Sequence, residues 1–168
     1  MALCLKAQKH TPEAIVSLGR ALELNPALGA AREELAALNL AQGKTREGIE
    51  QLEALAALEP SRPERLVSVG LAYARAGRTD AAIATLGRAA ERYPQADVVY
   101  EALGRVWLAS AEANDDGVAL SKAIQALEAA AARANASSDT LTLSGRALIL
   151  SGRIQTAERV LQQAITVW

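Results

Sequence analysis

The chain contains no phenylalanine, and only two Trp and three Tyr stand among its 168 residues. Aromatic rings cannot supply the bulk of its core, so Ala and Leu must. Both are strong helix formers, small side chains let helices approach closely, and the composition favours an all-α fold. There is one cysteine, Cys4, which excludes an internal disulfide. It fits a reducing compartment such as the cytoplasm without requiring one. Free Cys commonly packs as a small hydrophobe, and Cys4 falls on the apolar side of the first helical segment. The one histidine, His10, sits at a helix end that favours its cationic form, which leaves the commonest general acid–base group on the surface. Excess charge of either sign is missing too: 18 basic and 19 acidic side chains give a net −1. Nucleic-acid binders usually show a basic excess or stripe, so no nucleic-acid partner is expected. No apolar run approaches the ~18–20 residues that span a bilayer, and no membrane insertion is expected in this span. The opening MALCLKAQKH is too short, and too polar at its end, for a secretory signal. No Gly-rich phosphate loop is present. Asp115-Asp116 lacks the alternating oxygen ligands and distal Glu of a calcium loop. No catalytic residue, cofactor or metal is expected.

What is present is a repeat. Pro26, Pro60 and Pro94 are 34 residues apart each time, and Leu18, Leu52 and Leu86 keep the same step. Thr11, Thr45 and Thr79 follow it, as do Ala14, Gly48 and Ala82. The clearest unit is PERLVSVGLAYARAGRTDAAIATLGRAAERYP, residues 63–94. Leu66, Val69, Gly70 and Tyr73 recur at i, i+3, i+4 and i+7, one face of a first helix. Ala82, Ile83, Leu86 and Ala89 form the face of a second. Gly77 ends the first helix, and Thr79 with Asp80 opens the second, where an acidic charge suits the helix dipole. Ser61-Arg-Pro-Glu64 predicts a capping box before the first helix, and Pro94 closes the unit.

This pattern resembles the tetratricopeptide-repeat (TPR) family in unit length, in a Leu-Gly pair before an aromatic, in small residues in the second helix and in a closing Pro. Val69-Gly70 and Tyr73 carry the first feature; Ala82, Leu86, Ala89 and Pro94 carry the rest. Leu103-Gly104 with Trp107, and Gly145 with Leu148, repeat the first-helix signature. The resemblance implies a right-handed α-solenoid of antiparallel helix pairs, one array over 1–168. Its units are about 1–26 (partial), 29–60, 63–94, 97–135 (extended) and 138–168. Arg32, Asn39 and Gly48 in the second unit, and Asn135 in the fourth, depart from the pattern. From Leu86 to Leu127 is 41 residues rather than 34. The excess is close to two helical turns, placed around Asn114-Asp-Asp-Gly117 as a turn of added length on each helix. The ends lack solvating caps, so a fragment of a longer repeat protein is expected, with Ala2, Cys4 and Leu5 at one end and Leu161, Ile165 and Trp168 at the other open to end-to-end self-association.

Stacked pairs leave an extended concave surface, formed in TPR proteins mainly by first helices. Carried over residue by residue, the resemblance implies a partner-binding groove of Glu33, Val67, Leu71, Arg75, Glu101, Arg105, Leu108, Arg146 and Ile149. Ala37 and Leu71 replace the Asn residues with which some TPR domains clamp acidic tails. The apolar members suit a peptide or protein segment with apolar anchors, and Arg105 and Arg146 suit its carboxylates. The expected function is a protein-interaction scaffold; a structural or oligomerisation segment of a larger protein is the alternative.

Overall fold

The computed structural model describes residues 11–132 and 136–167. Ala2, Cys4, Leu5, His10, Asn135 and Trp168 lie outside the described residues. Within them the chain forms nine helices and no strand: α1 (Thr11–Leu24), α2 (Gly29–Ala41), α3 (Thr45–Leu58), α4 (Pro63–Arg75), α5 (Thr79–Arg92), α6 (Asp97–Asn114), α7 (Gly117–Ala131), α8 (Ser138–Leu150) and α9 (Ile154–Thr166). The 34-residue step becomes a 13-residue first helix, a three-residue turn and a 14-residue second helix in the pairs α2–α3 and α4–α5. Gly43, Gly77 and Gly152 turn the chain at φ +75°, +73° and +78°. A side chain there would be strained, which explains why Gly recurs two residues past the first helix.

The helices of each pair are held together by a large residue seated on a small one. A Cβ added to Gly70 would lie 2.6 Å from Leu86 Cγ, and one on Gly104 2.5 Å from Leu127 Cγ. One on Gly145 would lie 2.6 Å from Leu161 Cγ. Leu86 and Leu127 are fully buried. Each burial of this kind contributes about 1.5–3 kcal/mol. The second unit uses a different pair. Leu40 and Gly48 occupy the places held by Ala74 and Ala82 one step later, and a Cβ on Gly48 would lie 2.6 Å from Leu40 Cγ. The larger residue in α2 is matched by the smaller one in α3, so the volume between the helices is kept. Arg32 is accommodated by hydrogen bonds to the Pro26 carbonyl and the Gln51 side chain, both at 2.9 Å.

One local expectation changes, and two details are added. The capping box does not form: α4 begins at Pro63, the residue before it is Arg62, and no side chain caps the helix. Ser61 lies one residue too early, and Pro at the first position already lacks the N–H that a cap would satisfy. The Tyr93 hydroxyl donates to the Pro60 carbonyl of the preceding closing turn. In the fourth unit, Gly104 and Leu127 take the places of Gly70 and Leu86. Measured from them, α6 runs ten residues past Gly104, where α4 runs five past Gly70. α7 begins ten residues before Leu127, where α5 begins seven before Leu86. The turn shortens to Asp115, left-handed at φ 50°, and Asp116, whose Oδ1 accepts from the N–H groups of Val118 and Ala119 at 2.8 and 3.2 Å. Asp favours both positions.

Each second helix also packs against the next first helix, and α4–α6 and α6–α8 meet directly. First helices therefore form one wall of the stack.

Candidate partner-binding groove

Two adjoining hollows open on the wall of first helices, and Arg75 borders both. One, of about 480 Å3, lies over the ends of α2 and α4 and is bounded by Ala37, Leu40, Ala41, Thr45 and Ala72 as well as Arg75. The other, of about 310 Å3, lies between α4 and α6. Its floor is Leu71, Ala74, Val106 and Ala109; its polar edge is Arg75, Thr79, Arg105, Ser110 and Asn114. Small residues dominate the floor because the same positions let neighbouring helices approach.

The structure brings Leu71, Arg75 and Arg105 together here. Arg75 is exposed and has no ion-pair partner among the described residues. Arg105 is bound to Glu101 of its own helix at 2.8 Å. Glu101 is spent further: Thr140 Oγ1 and Ser137 Oγ donate to it at 2.5 and 3.3 Å, tying α6 to the start of α8. Arg146 stands beyond the hollow and grips Glu112 with two nitrogens, at 2.7 and 2.9 Å. Glu33 pairs with Arg65 at 3.0 Å. Arg65 also binds Glu59 at 2.7 Å, and Glu59 takes Arg62 at 3.0 Å. This network joins the second and third units; the Arg65 hydrogen bond, ahead of its charge, holds the Glu59 carboxyl below the usual carboxylate value. Val67 is half-buried against the core around Ala82, Leu86 and Val106. Ile149 remains exposed at the end of α8.

Leu108 is a correction. It is 2 % exposed and belongs to a core cluster with Ala123, Leu127, Ala147 and Leu148. In a regular unit this position lies next to the helix end. Here α6 continues past it and α7 begins earlier, so the lengthened pair encloses it.

Sequence reasoning did not place Thr79, Ser110, Ala113 and Asn114 in the groove. The last three come from the added length of α6, and the signal for Ala113 was present: Glu101, Arg105, Ala109 and Ala113 continue one helical stripe at steps of four. Among the described residues no cluster of His, Cys, Asp and Glu could hold a metal ion, and no helix is long and apolar enough to cross a membrane.

Residues 63–106 match the family model described as Tetratricopeptide repeat. No curated protein sequence matches the chain. Among solved structures, MamA is similar at TM-score 0.72 and 21 % identity, over 96 % of this chain and 91 % of its own. YrrB, described as a TPR protein with an unusual peptide-binding site, is similar at TM-score 0.65 and 16 % identity, over 99 % of this chain and 82 % of its own. The matched unit, the helix pairs that continue it in both directions and these two likenesses agree on the fold: residues 63–106 match a tetratricopeptide repeat, and the chain folds as an α-solenoid of that kind.

Proposed function

We propose that this chain is a protein-interaction scaffold that holds a peptide segment across α2, α4 and α6. The observation that carries the reading is Arg75, a guanidinium without a carboxylate partner that borders both hollows of an apolar wall. An extended or helical segment would lay small apolar side chains on Leu71, Ala74 and Ala109, with a carboxylate at Arg75. Arg105 would contribute by exchanging its exposed bond to Glu101, since exposed pairs of this kind contribute little. Ser110 and Asn114, on the added length of α6, would provide polar contacts at the edge. YrrB, as a TPR protein with a peptide-binding site, supports peptide binding by this architecture.

Selection of a displayed random-peptide library against the chain tests this. Enriched peptides should carry an acidic residue beside apolar ones. They should lose binding to Leu71→Glu and Arg75→Glu variants that keep parental helicity. Equal binding to the parent and both variants would place the segment elsewhere.

The face of the last pair supports a second reading, self-association. Leu161, Ala164 and Ile165 line an apolar hollow of about 600 Å3 with Ser138 and Thr142. Ile165 is 68 % exposed.

A further inference from the structure

The opposite side of the stack carries a second hollow, about 280 Å3, in the furrow between the second helices α3 and α5. Its floor is apolar: Ala56 and Ala57 of α3, and Leu66 and Val69 of α4 beneath. Its rim is basic. Arg88 and Arg92, one turn apart on α5, and Arg62 at the start of α4 all border it. Arg88 and Arg92 have no carboxylate partner among the described residues; Arg92 lies over the Tyr93 ring, 5.4 Å from its centre. Arg62 shares Glu59 with Arg65, which takes the shorter bond. One carboxylate, Glu53, stands in the lining, and it already accepts the Tyr73 hydroxyl at 2.5 Å.

Two further features bear on what the furrow can hold. Thr85 lines the furrow, is 4 % exposed, and its hydroxyl makes no hydrogen bond among the described residues. Its hydroxyl is therefore free to bond a ligand in place of water. The lining of the furrow is also not repeated in the next pair. Tyr100 stands in the next pair where Leu66 stands here, and the corresponding positions to Arg62 and Arg88 there are Ala96 and Ala129. Of the three basic positions only that of Arg92 stays basic there, as Arg133, so the full basic rim occurs in this furrow.

We propose that this furrow binds a phosphate group carried on a compact apolar body, an aryl phosphate. The ring would lie on Leu66, Val69 and Ala56. The phosphate would meet Arg88 and Arg92, whose planar forks suit its oxygens, with Arg62 at the edge. Thr85 would receive or supply a hydrogen bond at the floor. Two guanidiniums without carboxylate partners match a dianion better than the single charge of a carboxylate. The group is either a free small molecule or a phosphotyrosine in a protein segment. The site is separate from the groove on the first helices and does not depend on it.

Titration calorimetry and amide chemical-shift mapping with phenyl phosphate test the proposal. Inorganic phosphate, phenylacetate and a short phosphotyrosine peptide form the comparison arms. Phenyl phosphate should bind more tightly than inorganic phosphate and phenylacetate, with shifts confined to α3, α4 and α5. Arg88→Gln/Arg92→Gln should weaken it by roughly tenfold or more. Leu66→Tyr, which copies the neighbouring pair, should block the ring while circular dichroism stays parental. A peptide that binds more tightly than phenyl phosphate identifies a protein source; one that binds no better identifies a free ligand. Absence of phenyl phosphate binding, binding equal to that of inorganic phosphate, or binding unchanged in both variants would overturn the assignment.

Discussion

Replacing Gly70 with Ala adds one methyl group, and two effects of opposite sign follow. Removing a helix-interior Gly stabilises by up to about 1 kcal/mol. Against this, the new Cβ would stand 2.6 Å from Leu86 Cγ and 2.8 and 3.1 Å from its methyl carbons. That is about 1 Å inside the ~3.5–4.0 Å optimum for carbon atoms. Leu86 is 0 % exposed, so its side chain has no solvent to turn into. Overpacking of this kind costs about 1–3 kcal/mol. Gly87 supplies the internal control: it lies within α5, and an added Cβ meets nothing within 4 Å. Both substitutions gain the same propensity, so their difference isolates the steric term. Gly87→Ala should raise the melting temperature and Gly70→Ala should lower it relative to that control. The separation should be roughly 2–12 °C, from ~2–4 °C per kcal/mol for a chain of this size. Thermal unfolding followed by circular dichroism reads the result. Equal rises in both variants would refute the claim that Leu86 seated on Gly70 fixes the approach of α4 and α5.

The second unit gives a companion test: Gly48→Ala and Leu40→Ala should each destabilise. The double variant, which restores the alanines found one step later, should cost less than the sum by roughly 0.5–3 kcal/mol in a double-mutant cycle. Stability should fall in acid partly through Glu59, whose pKa is lowered first by its hydrogen bond from Arg65. Its contribution is present above the unfolded carboxyl value and lost as pH falls through the folded one, so Glu59→Gln should flatten that limb of the stability–pH curve. The Tyr73 phenol is raised, first by its hydrogen bond to Glu53 and next by burial. Its contribution is present below the unfolded value of about 10 and lost as pH rises through the folded one. Tyr73→Phe should therefore remove part of the alkaline loss seen in melts. Ile165→Glu should lower the sedimentation coefficient at high concentration if the last pair mediates association, and an unchanged concentration dependence would discard that contact.

The architecture was legible because it rests on local, repeated chemistry. Pro60 and Pro94 mark closing turns, Gly77 needs a positive φ, and Gly70 and Leu86 recur as Gly104 and Leu127. The wall residues Leu71, Arg75 and Arg105 were placed by the tetratricopeptide-repeat resemblance, carried over position by position. What could not be read is how charged groups pair across units. Arg146 and Glu112 come from different helices, and whether they meet depends on how α8 lies against α6. The same holds for Arg65 between Glu33 and Glu59. A sequence shows that two such charges are available, but not that each is already occupied. Leu108 escaped for a related reason: an apolar residue at a wall position faces the groove only if the helix ends soon after it, and the added length of α6 removes that condition.

That added length also changes what the proposed groove would recognise. In the third unit the wall ends at Arg75, beside the turn at Gly77. In the fourth, burial of Leu108 takes one large apolar contact off the wall, and Ser110, Ala113 and Asn114 extend the wall in its place. The result is an asymmetric groove, apolar over α2 and α4 and progressively polar along α6, with an unpaired cation where the two halves meet. A segment that ran uniformly apolar would leave Arg75 desolvated without a partner, which is costly. A uniformly acidic segment would gain nothing from Leu71 and Ala74, and would meet Glu101 and Glu112 beside the arginines they already occupy. On the proposed reading, discrimination would therefore fall on a single acidic residue flanked by small apolar ones, and Arg75 would be the side chain on which it turns.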